Sequence, residues 1–387
     1  MQYTGGNRLT LLRNGEQYFP ALVSAIDAAR LEVFLETYIF ADDETGSLVA
    51  DALARAASRG VSVHLLIDGF GARDFPARFR DALEAAGARV LVFRRLLRPS
   101  LRRSRLRRMH RKLAAIDGCV AFVGGINVVD DYERPLDDPR VTAPRHDYAV
   151  RIDGPLAADV RGTAARLWRK VAWAAMRRRT ALEPPPHLKP PPPAGSQKAA
   201  LVFRDSLRHR RDIEEAYLEQ LSAARVEVII ACAYFLPGIR FRRALVEAAS
   251  RRVRVKLILQ GRIEYPFLHY ASRGLYGTLL DAGIEIYEYN AALLHAKVAV
   301  FDRRVACVGS SNIDPFSLLL SREANVFVDD VAFAAQLRQT LEQAMAQDAL
   351  ALAPREWRGQ PLWRRALIWI AYEAARLAIS FYGFDRY

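Results

Sequence analysis

The sequence predicts an α/β protein built from two copies of one unit, each a mainly β sheet flanked by helices, related by a pseudo-twofold axis. Short apolar, β-branched runs alternate with helical stretches along the chain, which is typical of α/β architecture. The segments of the first half return in the same order in the second half. A proline-rich stretch at 183–197 separates the copies and is typical of a semi-rigid, exposed linker.

These features divide the chain into four parts. We expect an N-terminal lobe at 1–182, the proline-rich linker at 183–197 and a C-terminal lobe at 198–350. The last part, 351–387, combines aromatic residues with arginines and is expected to form an amphipathic segment.

The repeated elements follow one another in matching order. A strand-like run leads to an alanine-rich helix, a second strand, a second helix and a third strand. The matching segments, first half before second, are 29–35 and 224–230, 48–58 and 244–250, 59–69 and 251–261, and 88–93 and 284–289. The second helix ends at Gly87 in one copy and at Gly283 in the other, because glycine commonly terminates a helix.

Composition and charge narrow the class of protein. Of 387 residues, 51% are hydrophobic and 26% are charged, which excludes a disordered chain. No run of 18 apolar residues predicts a transmembrane helix, and residues 1–13 lack the apolar core of a secretory signal. Three cysteines make no disulfide framework, so a reducing, cytoplasmic compartment is expected. The net charge of +14 predicts a polyanionic partner, either nucleic acid or an anionic membrane surface.

A His-x-Lys pair with the same downstream residues occurs in both halves, although the chain has only six lysines. In each copy Lys, Asp, Gly and Asn follow His at 2, 7, 14 and 17 residues. Agreement at so many positions argues against coincidence. The two sets are His110, Lys112, Asp117, Gly124 and Asn127, and His295, Lys297, Asp302, Gly309 and Asn312.

Each set predicts a β-hairpin that collects its polar residues at one end. Residues two apart in a strand share a face, so His and Lys point the same way. The apolar runs 113–116 and 298–301 end at turns containing Asp117 and Asp302, which favours a structural role for these two carboxylates. The returning strands bring the glycines and asparagines back beside His and Lys.

These residue types suit phosphodiester exchange without a metal or other cofactor. One imidazole can attack phosphorus, and a second can protonate the leaving alcohol and deprotonate the incoming one. Lysines and asparagines can neutralise and hold the phosphoryl oxygens.

The duplicated HxKxxxxD pattern, with its downstream G-G/S-x-N, resembles the phospholipase D superfamily. The resemblance implies tandem phospholipase D-like repeats with the active site between the lobes. It identifies the six motif residues as the candidate catalytic set, namely His110, Lys112, Asp117, His295, Lys297 and Asp302. The candidate substrate-binding residues beside them are Asn127, Asn312, Gly125 and Ser311.

The resemblance also suggests roles for the two histidines. The sequence itself treats them alike, whereas the family pattern implies that His110 is the nucleophile and His295 the acid/base. Each imidazole needs an acceptor that orients its other nitrogen. Glu323, 11 residues after Asn312, fits the family pattern, and Asp147 is the corresponding acid in the first half, displaced by an inserted loop.

The motif fixes the reaction but leaves the substrate open between lipid and nucleic acid. Residues 8–350 further resemble bacterial cardiolipin synthases, above all the short form that lacks two N-terminal membrane spans. The segments that carry this resemblance are 14–21, 108–112, 147–155, 233–238 and 308–315. The resemblance implies transfer of a phosphatidyl group between phosphatidylglycerol molecules, with glycerol released. The implied partners are anionic phospholipids (phosphatidylglycerol and cardiolipin) at the cytoplasmic side of the cell membrane, where the protein is peripheral, and no nucleic acid is expected.

Two segments could bind that membrane surface. Residues 94–112 contain ten basic and no acidic residues, interleaved with leucines. Residues 361–384 combine arginines with aromatic side chains and suit an interfacial helix; an ordinary helix packed on the core fits equally well. The candidate membrane-binding residues are Arg102, Arg103, Arg105, Arg107, Trp363 and Trp369.

Two alternatives remain from sequence alone. One is a phospholipase D hydrolase of the same fold. The other is a nucleic-acid-binding protein or nuclease that uses the basic run, although the chain contains no RRM-like or helix-turn-helix signature.

Overall fold

A computed structural model describes residues 1–94, 107–132, 143–175, 188, 191–205 and 208–381. The strands of the N-terminal half are β1 (Thr4–Arg13), β2 (Glu32–Thr37), β3 (Ser62–Asp68), β4 (Arg89–Phe93), β5 (Lys112–Ile116), β6 (Val120–Gly124) and β7 (Tyr148–Asp153). Its helices are α1 (Asn14–Asp27), α2 (Glu44–Ser58), α3 (Ala77–Ala85) and α4 (Leu156–Ala174).

The C-terminal half repeats this order. Its strands are β8 (Gln197–Arg204), β9 (Glu227–Cys232), β10 (Arg254–Gln260), β11 (Glu285–Tyr289), β12 (Lys297–Phe301), β13 (Val305–Gly309), β14 (Glu323–Asp329) and β15 (Ala349–Ala351). Its helices are α5 (Asp212–Ala223), α6 (Ile239–Ser250), α7 (Pro266–Arg273), α8 (Tyr276–Asp281), α9 (Pro315–Leu319), α10 (Val331–Gln347), α11 (Pro354–Arg358) and α12 (Leu362–Phe381).

The strand order confirms the predicted α/β duplication. The described strands form one 15-stranded sheet in the order β15-β11-β10-β9-β12-β13-β14-β8-β1-β7-β6-β5-β2-β3-β4. The order from β8 outward to β11 repeats the order from β1 outward to β4. The antiparallel pairing of β1 with β8 joins the halves at the pseudo-twofold axis.

Each half of the sheet has a parallel part and an antiparallel part, and the antiparallel part carries the His-x-Lys motif. Strands β2, β3 and β4 are parallel, as are β9, β10 and β11, and helices on one face connect them. The strands that carry the His-x-Lys motifs, β5 and β12, pair antiparallel with β2 and β9 on one side and with β6 and β13 on the other. Each motif strand therefore has hydrogen-bonded neighbours on both edges, which fixes its register.

The core consists of three apolar clusters. One lies under the helices of the N-terminal half and one under those of the C-terminal half. The third is shared, since Leu113 and Val150 from one half join Val298 and Val326 from the other, together with side chains of α4 and α10. The halves are thus held together by a common core as well as by the β1–β8 pairing.

The two hairpin turns are built in the same way. Asp117 and Gly118 both have positive φ, as do Asp302 and Arg303, and this backbone matches the twist of a tight hairpin. The Asp117 carboxylate accepts the backbone N–H groups of residues 30–32 at 2.8–2.9 Å. Asp302 accepts those of residues 225–227 at 2.8–3.1 Å. Each motif aspartate therefore ties its hairpin to the start of the neighbouring strand.

The linker and the C-terminal segment are described in part. Residues 183–187, 189 and 190 of the linker lie outside the described residues, and within the described part the N–H groups of Ala194 and Gly195 donate to the carbonyl of Gly6. In α12 one face packs against α7, with Tyr372 against Gly274. Of the described helices, none is long and apolar enough to cross a bilayer. The boundaries proposed from sequence remain predictions.

Replacing Asp302 with alanine should lower the free energy of unfolding by about 3 kcal/mol, because three backbone donors lose a charged acceptor. Asp302→Asn should cost less, since asparagine tolerates positive φ and keeps one acceptor oxygen. Denaturant unfolding measures both values, and Asp81→Ala, on the exposed face of α3, is the control. An Asp302→Ala variant as stable as the control would contradict this structural role.

Candidate active site

The two motifs meet where the halves face each other. Lys112 and Lys297 are the first residues of β5 and β12, and His110 and His295 lie two residues before them. All four side chains are buried or nearly so. His110 and His295 are close enough for the charge of one to lower the pKa of the other.

Each imidazole is oriented by a carboxylate from the opposite half. His110 Nδ1 lies 2.9 Å from one carboxylate oxygen of Glu323 and 3.2 Å from the other. His295 Nδ1 lies 2.6 Å from an oxygen of Asp147. The sequence found all four residues, but it did not reveal this crossed pairing. In each pair Nε2 is left as the nitrogen that can react.

Backbone hydrogen bonds enforce the crossing. The N–H of His110 donates to the carbonyl of Arg322, which directly precedes Glu323, at 3.0 Å. The N–H of His295 donates to the carbonyl of His146, which directly precedes Asp147, at 2.9 Å. Each histidine is thus docked by its main chain on the segment that supplies its acceptor.

Burial and charge set the protonation states. Burial, with the neighbouring Lys297, Arg145 and Lys112, holds the pKa of His295 well below its ordinary value. Burial also lowers the pKa of His110, but there the Glu323 carboxylate acts in the opposite direction. Burial raises the pKa of Asp147 to about 7, although Lys297 opposes the change. Both imidazoles therefore favour the neutral form.

The two lysines are buried cations with incomplete hydrogen bonding. Lys112 Nζ donates to the carbonyl of His110 at 2.6 Å, and Lys297 Nζ donates to the carbonyl of His295. Burial lowers the pKa of Lys112 to about 7 and lowers that of Lys297. An ammonium has three donors, so each lysine can also donate to an anion placed between the histidines. Such an anion would raise the pKa of both lysines towards the ordinary value.

Asn127 and Asn312 occupy equivalent positions at the ends of the returning strands. The amide oxygen of Asn127 accepts the N–H of Ile39 at 3.1 Å, and that of Asn312 accepts the N–H of Tyr234 at 3.4 Å. These bonds fix the loops after β2 and β9. They also direct each amide so that its NH₂ group is the part left for a ligand.

The small residues of the motif support the carboxylates. A side chain at Gly125 would collide with Asp147, with a Cβ only 2.2 Å from its carboxylate. At the equivalent position Ser310 donates to Glu323. Ser311, predicted to bind substrate, is buried and donates to the carbonyl of Asn312 at 3.2 Å. Substrate binding by Gly125 and Ser311 remains a prediction.

Sequence reasoning missed two further pairs of equivalent residues, Asp68 with Gln260 and Tyr38 with Tyr234. Asp68, at the end of β3, accepts the N–H of Met109 at 2.8 Å, and Gln260, at the end of β10, donates to the carbonyl of Leu294 at 3.4 Å. Both thus hold the residue that precedes a motif histidine. The matching segments 59–69 and 251–261 could have revealed the pair of Asp68 and Gln260, because these two residues end equivalent strands.

Two tyrosines complete the walls of the site. Tyr38 contacts the His110 ring edge-on, with the ring centroids 4.9 Å apart, and Lys112 lies over its ring. Tyr234, its counterpart, donates a hydrogen bond to Glu264 and contacts Tyr265.

The remaining candidates lie away from the histidines or outside the described residues. Asp117 and Asp302 are at the far ends of their hairpins. Arg102, Arg103 and Arg105 lie outside the described residues, whereas Arg107 is described and partly exposed. Trp363 and Trp369 project from α12 and are 69% and 64% exposed. In the described part of the chain no three His, Cys, Asp or Glu side chains converge to hold a metal ion; reaction without a metal or cofactor remains a prediction.

Two His-x-Lys hairpins facing each other across a duplicated α/β sheet define a phospholipase D-type protein. A solved structure with this architecture, phosphatidylserine synthase from Haemophilus influenzae, superposes with a TM-score of 0.71 at 14% identity, covering 98% of this chain and 94% of that one. Polyphosphate kinase from Porphyromonas gingivalis superposes at 0.58 and 15% identity over 90% of this chain and 49% of that one. These likenesses concern the fold alone.

Sequence comparison identifies the family. A family model described as cardiolipin synthase, PLD-like domain, matches residues 22–134 and 217–345. Cardiolipin synthase B of Escherichia coli K12 is 41% identical over 357 residues, which cover 89% of this chain and 81% of that protein. The major cardiolipin synthase of Bacillus subtilis is 30% identical over 94% of this chain and 74% of its own length. The chain belongs to the cardiolipin synthase family of the phospholipase D superfamily, as the motifs predict.

Exchanging Glu323 for glutamine should lower the pKa of His110 further, because a carboxylate favours the protonated imidazole and an amide does not. Titration of the histidine rings by ¹H–¹⁵N NMR measures the shift. Asp147→Asn is the matched variant and should act on His295 instead. A larger response of His295 than of His110 to Glu323→Gln would refute the crossed pairing.

Proposed function

We propose that the protein synthesises cardiolipin by transferring a phosphatidyl group from one phosphatidylglycerol to another. The observation that carries this proposal is the pair of crossed His–carboxylate contacts beside two buried lysines. The arrangement offers two reactive Nε2 atoms and two cations to one phosphodiester. The substrate in this proposal is inferred from the names of the relatives, and the reaction steps are inferred from the residues of the site.

The first half of the reaction forms a covalent intermediate. His110 Nε2 attacks phosphorus, the bond from phosphorus to the glycerol oxygen breaks, and His295 gives that oxygen its proton. The product is a phosphatidyl group on His110 and free glycerol. Lys112, Lys297 and the two asparagine amides stabilise the negative charge on the phosphoryl oxygens.

The second half reverses the proton movement. The terminal hydroxyl of a second phosphatidylglycerol gives its proton to His295 and attacks phosphorus, and the bond to His110 breaks. Water must be excluded while the intermediate waits, since hydrolysis would release phosphatidic acid instead.

The assignment of roles follows the family resemblance. The nucleophile must be neutral, and both imidazoles meet this requirement. The acid must be protonated, so His295 depends on the negative charge of bound phosphate to offset Lys297, Arg145 and Lys112. The charges of the protein alone would favour the reverse assignment, because burial and the neighbouring cations hold the pKa of His295 well below its ordinary value, whereas Glu323 opposes the lowering at His110.

We also propose a peripheral position on the cytoplasmic side of the membrane. One face of α12 packs on the protein through Ile368, Ala371 and Ala375, which leaves the opposite face exposed. That exposed face includes Trp363 and Trp369. A helix with this division suits the boundary between head groups and acyl chains.

A second group of exposed apolar residues supports this position. The segment entering α7 exposes half of the surface of Ile263, Tyr265 and Phe267. Tyr265 contacts Tyr234, whose main chain is held by Asn312 of the active site. A membrane that met this segment would therefore lie beside the active site, and lipid could enter without passing through water.

His110→Ala and His295→Ala should each abolish cardiolipin formation from labelled phosphatidylglycerol, because the first variant lacks the proposed nucleophile and the second lacks the proposed acid/base. Thin-layer chromatography of labelled lipid measures the products. His209→Ala, at a histidine that pairs with Asp212 outside the site, is the control and should keep full activity. Turnover in either motif variant would refute the mechanism.

Trapping the intermediate tests the roles and the substrate class. The phosphorus label should remain on His110 after rapid acid quenching. Label found only on His295 would reverse the two roles. Cleavage of oligonucleotides, with no reaction of phosphatidylglycerol or phosphatidylethanolamine, would replace this proposal with a nuclease.

Replacing both Trp363 and Trp369 with alanine should weaken binding to neutral and anionic vesicles by roughly tenfold or more, because two large apolar side chains no longer enter the interface. Replacing Arg102, Arg103, Arg105 and Arg107 with glutamine should weaken binding only to anionic vesicles, and most at low salt. Vesicle sedimentation at two salt concentrations separates the two contributions.

Control variants remove groups of the same kind from other parts of the surface. Leu350→Ala removes an apolar side chain that is 61% exposed outside α12. Replacing Arg30, Arg225, Arg243 and Arg355, all exposed, removes the same charge elsewhere. Controls that weaken binding as much as the test variants would contradict a localised membrane surface.

A further inference from the structure

A cavity of about 680 Å³ lies at the β4 edge of the sheet, away from the motif residues. Its apolar wall comes from β4 and from the last turns of α4, and includes Leu91, Phe93, Leu167 and Val171. These four side chains are at most 9% exposed, so the wall is part of the packed core. The volume is within the range of sites that hold small ligands.

The polar groups around this cavity are basic. In the described part of the chain it is lined by Arg80, Arg94, Lys170 and Arg322, and by no acidic residue. Arg80 has a partner outside the lining, Glu84, at 3.4 Å. The Nε atom of Arg322 is buried and has no hydrogen-bond partner among the described residues, and its guanidinium lies over the Phe93 ring. The cavity therefore combines an apolar wall with several cationic groups.

The cavity adjoins the active site without being part of it. Arg322 lines it with its side chain, while its carbonyl accepts the N–H of His110. None of the His-x-Lys residues is in the lining. At the other end Lys170 and Ala174 of α4 are exposed, and Trp173 between them is 84% exposed.

We propose that this cavity binds a second anionic phospholipid beside the reacting one, with one acyl chain against the apolar wall and the phosphate among the basic side chains. An acyl chain suits the apolar wall, whereas water or free phosphate would find no hydrogen-bonding group there. A phosphate matches four cations without an acidic neighbour in the lining. Trp173, beside the open end, is a residue type that favours the lipid interface. The choice of a phospholipid rests on the proposed function, whereas the apolar wall and the cations do not.

A photoreactive lipid can test this site directly. The probe is lysophosphatidylglycerol with a diazirine in its acyl chain, used below its critical micelle concentration with the His110→Ala protein, so that no turnover occurs. Mass spectrometry of the crosslinked peptides should locate the label at residues 90–93 and 167–175. Label confined to other peptides would overturn the proposal.

Two matched pairs of variants sharpen the result. Ala174→Trp fills the open end of the cavity and should reduce labelling there at least tenfold, whereas Ala346→Trp, at an exposed alanine near the end of α10, should not. Lys170→Gln combined with Arg80→Gln should reduce labelling several-fold, whereas Arg169→Gln, on the same helix but outside the lining, should not.

A comparison of lipids that differ in head group or acyl chain identifies which part of the lipid the cavity recognises. Lysophosphatidylcholine with the same photoreactive chain should label the cavity at least fivefold less, and excess glycerol phosphate without a chain should not compete. Equal labelling by both lipids, or unchanged labelling in Ala174→Trp, would overturn the proposal. The measurement needs no turnover, so it can fail while cardiolipin synthesis is confirmed, and it can succeed while synthesis is refuted.

Discussion

The active site depends on one interaction made twice, the docking of each motif histidine on the opposite half of the chain. A backbone hydrogen bond from His110 to Arg322 puts its ring against Glu323, and the bond from His295 to His146 does the same with Asp147. Neither motif histidine finds its orienting carboxylate within its own half. Catalytic geometry therefore requires that the two halves be packed together, and the shared apolar core and the β1–β8 pairing provide that packing.

Burial of charge gives this site its preference for an anion. Two lysines and two carboxylates lie in a region from which solvent is largely excluded, and each carboxylate already contacts a histidine. Removing charged groups from water is costly unless they are paired. The lysines respond with lowered pKa values. In the proposed reaction, a phosphodiester between the histidines would supply the missing partner, so the same groups would serve substrate binding and charge stabilisation.

The two halves have the same fold but differ in the residues around their motif histidines. Asp147 contacts Gly125 closely, whereas the longer Glu323 receives a hydrogen bond from Ser310 at the matching position. A carboxylate, Asp68, holds the residue before His110, and a neutral amide, Gln260, holds the residue before His295. The surroundings of His110 are therefore the more negative of the two. Such differences allow two copies of one unit to take different roles in a single reaction.

The sequence by itself determined the features that depend on local geometry. The spacing of His, Lys, Asp and Asn predicted both hairpins, and the position of Asp117 and Asp302 at turns predicted their structural role. Matching runs in the two halves predicted the duplicated sheet, since strand and helix patterns reflect neighbouring residues.

Tertiary structure alone decided which groups meet across the two halves. No periodicity relates His110 to Glu323, 213 residues away, because their contact arises only when the two halves of the sheet pack together. The same holds for Arg322, which joins a basic, apolar-walled cavity to the backbone of His110, and for α12, where packing buries one face and exposes the other. The local pattern of residues determines the conformation of a segment, whereas the contacts of a side chain are determined only when distant segments pack together.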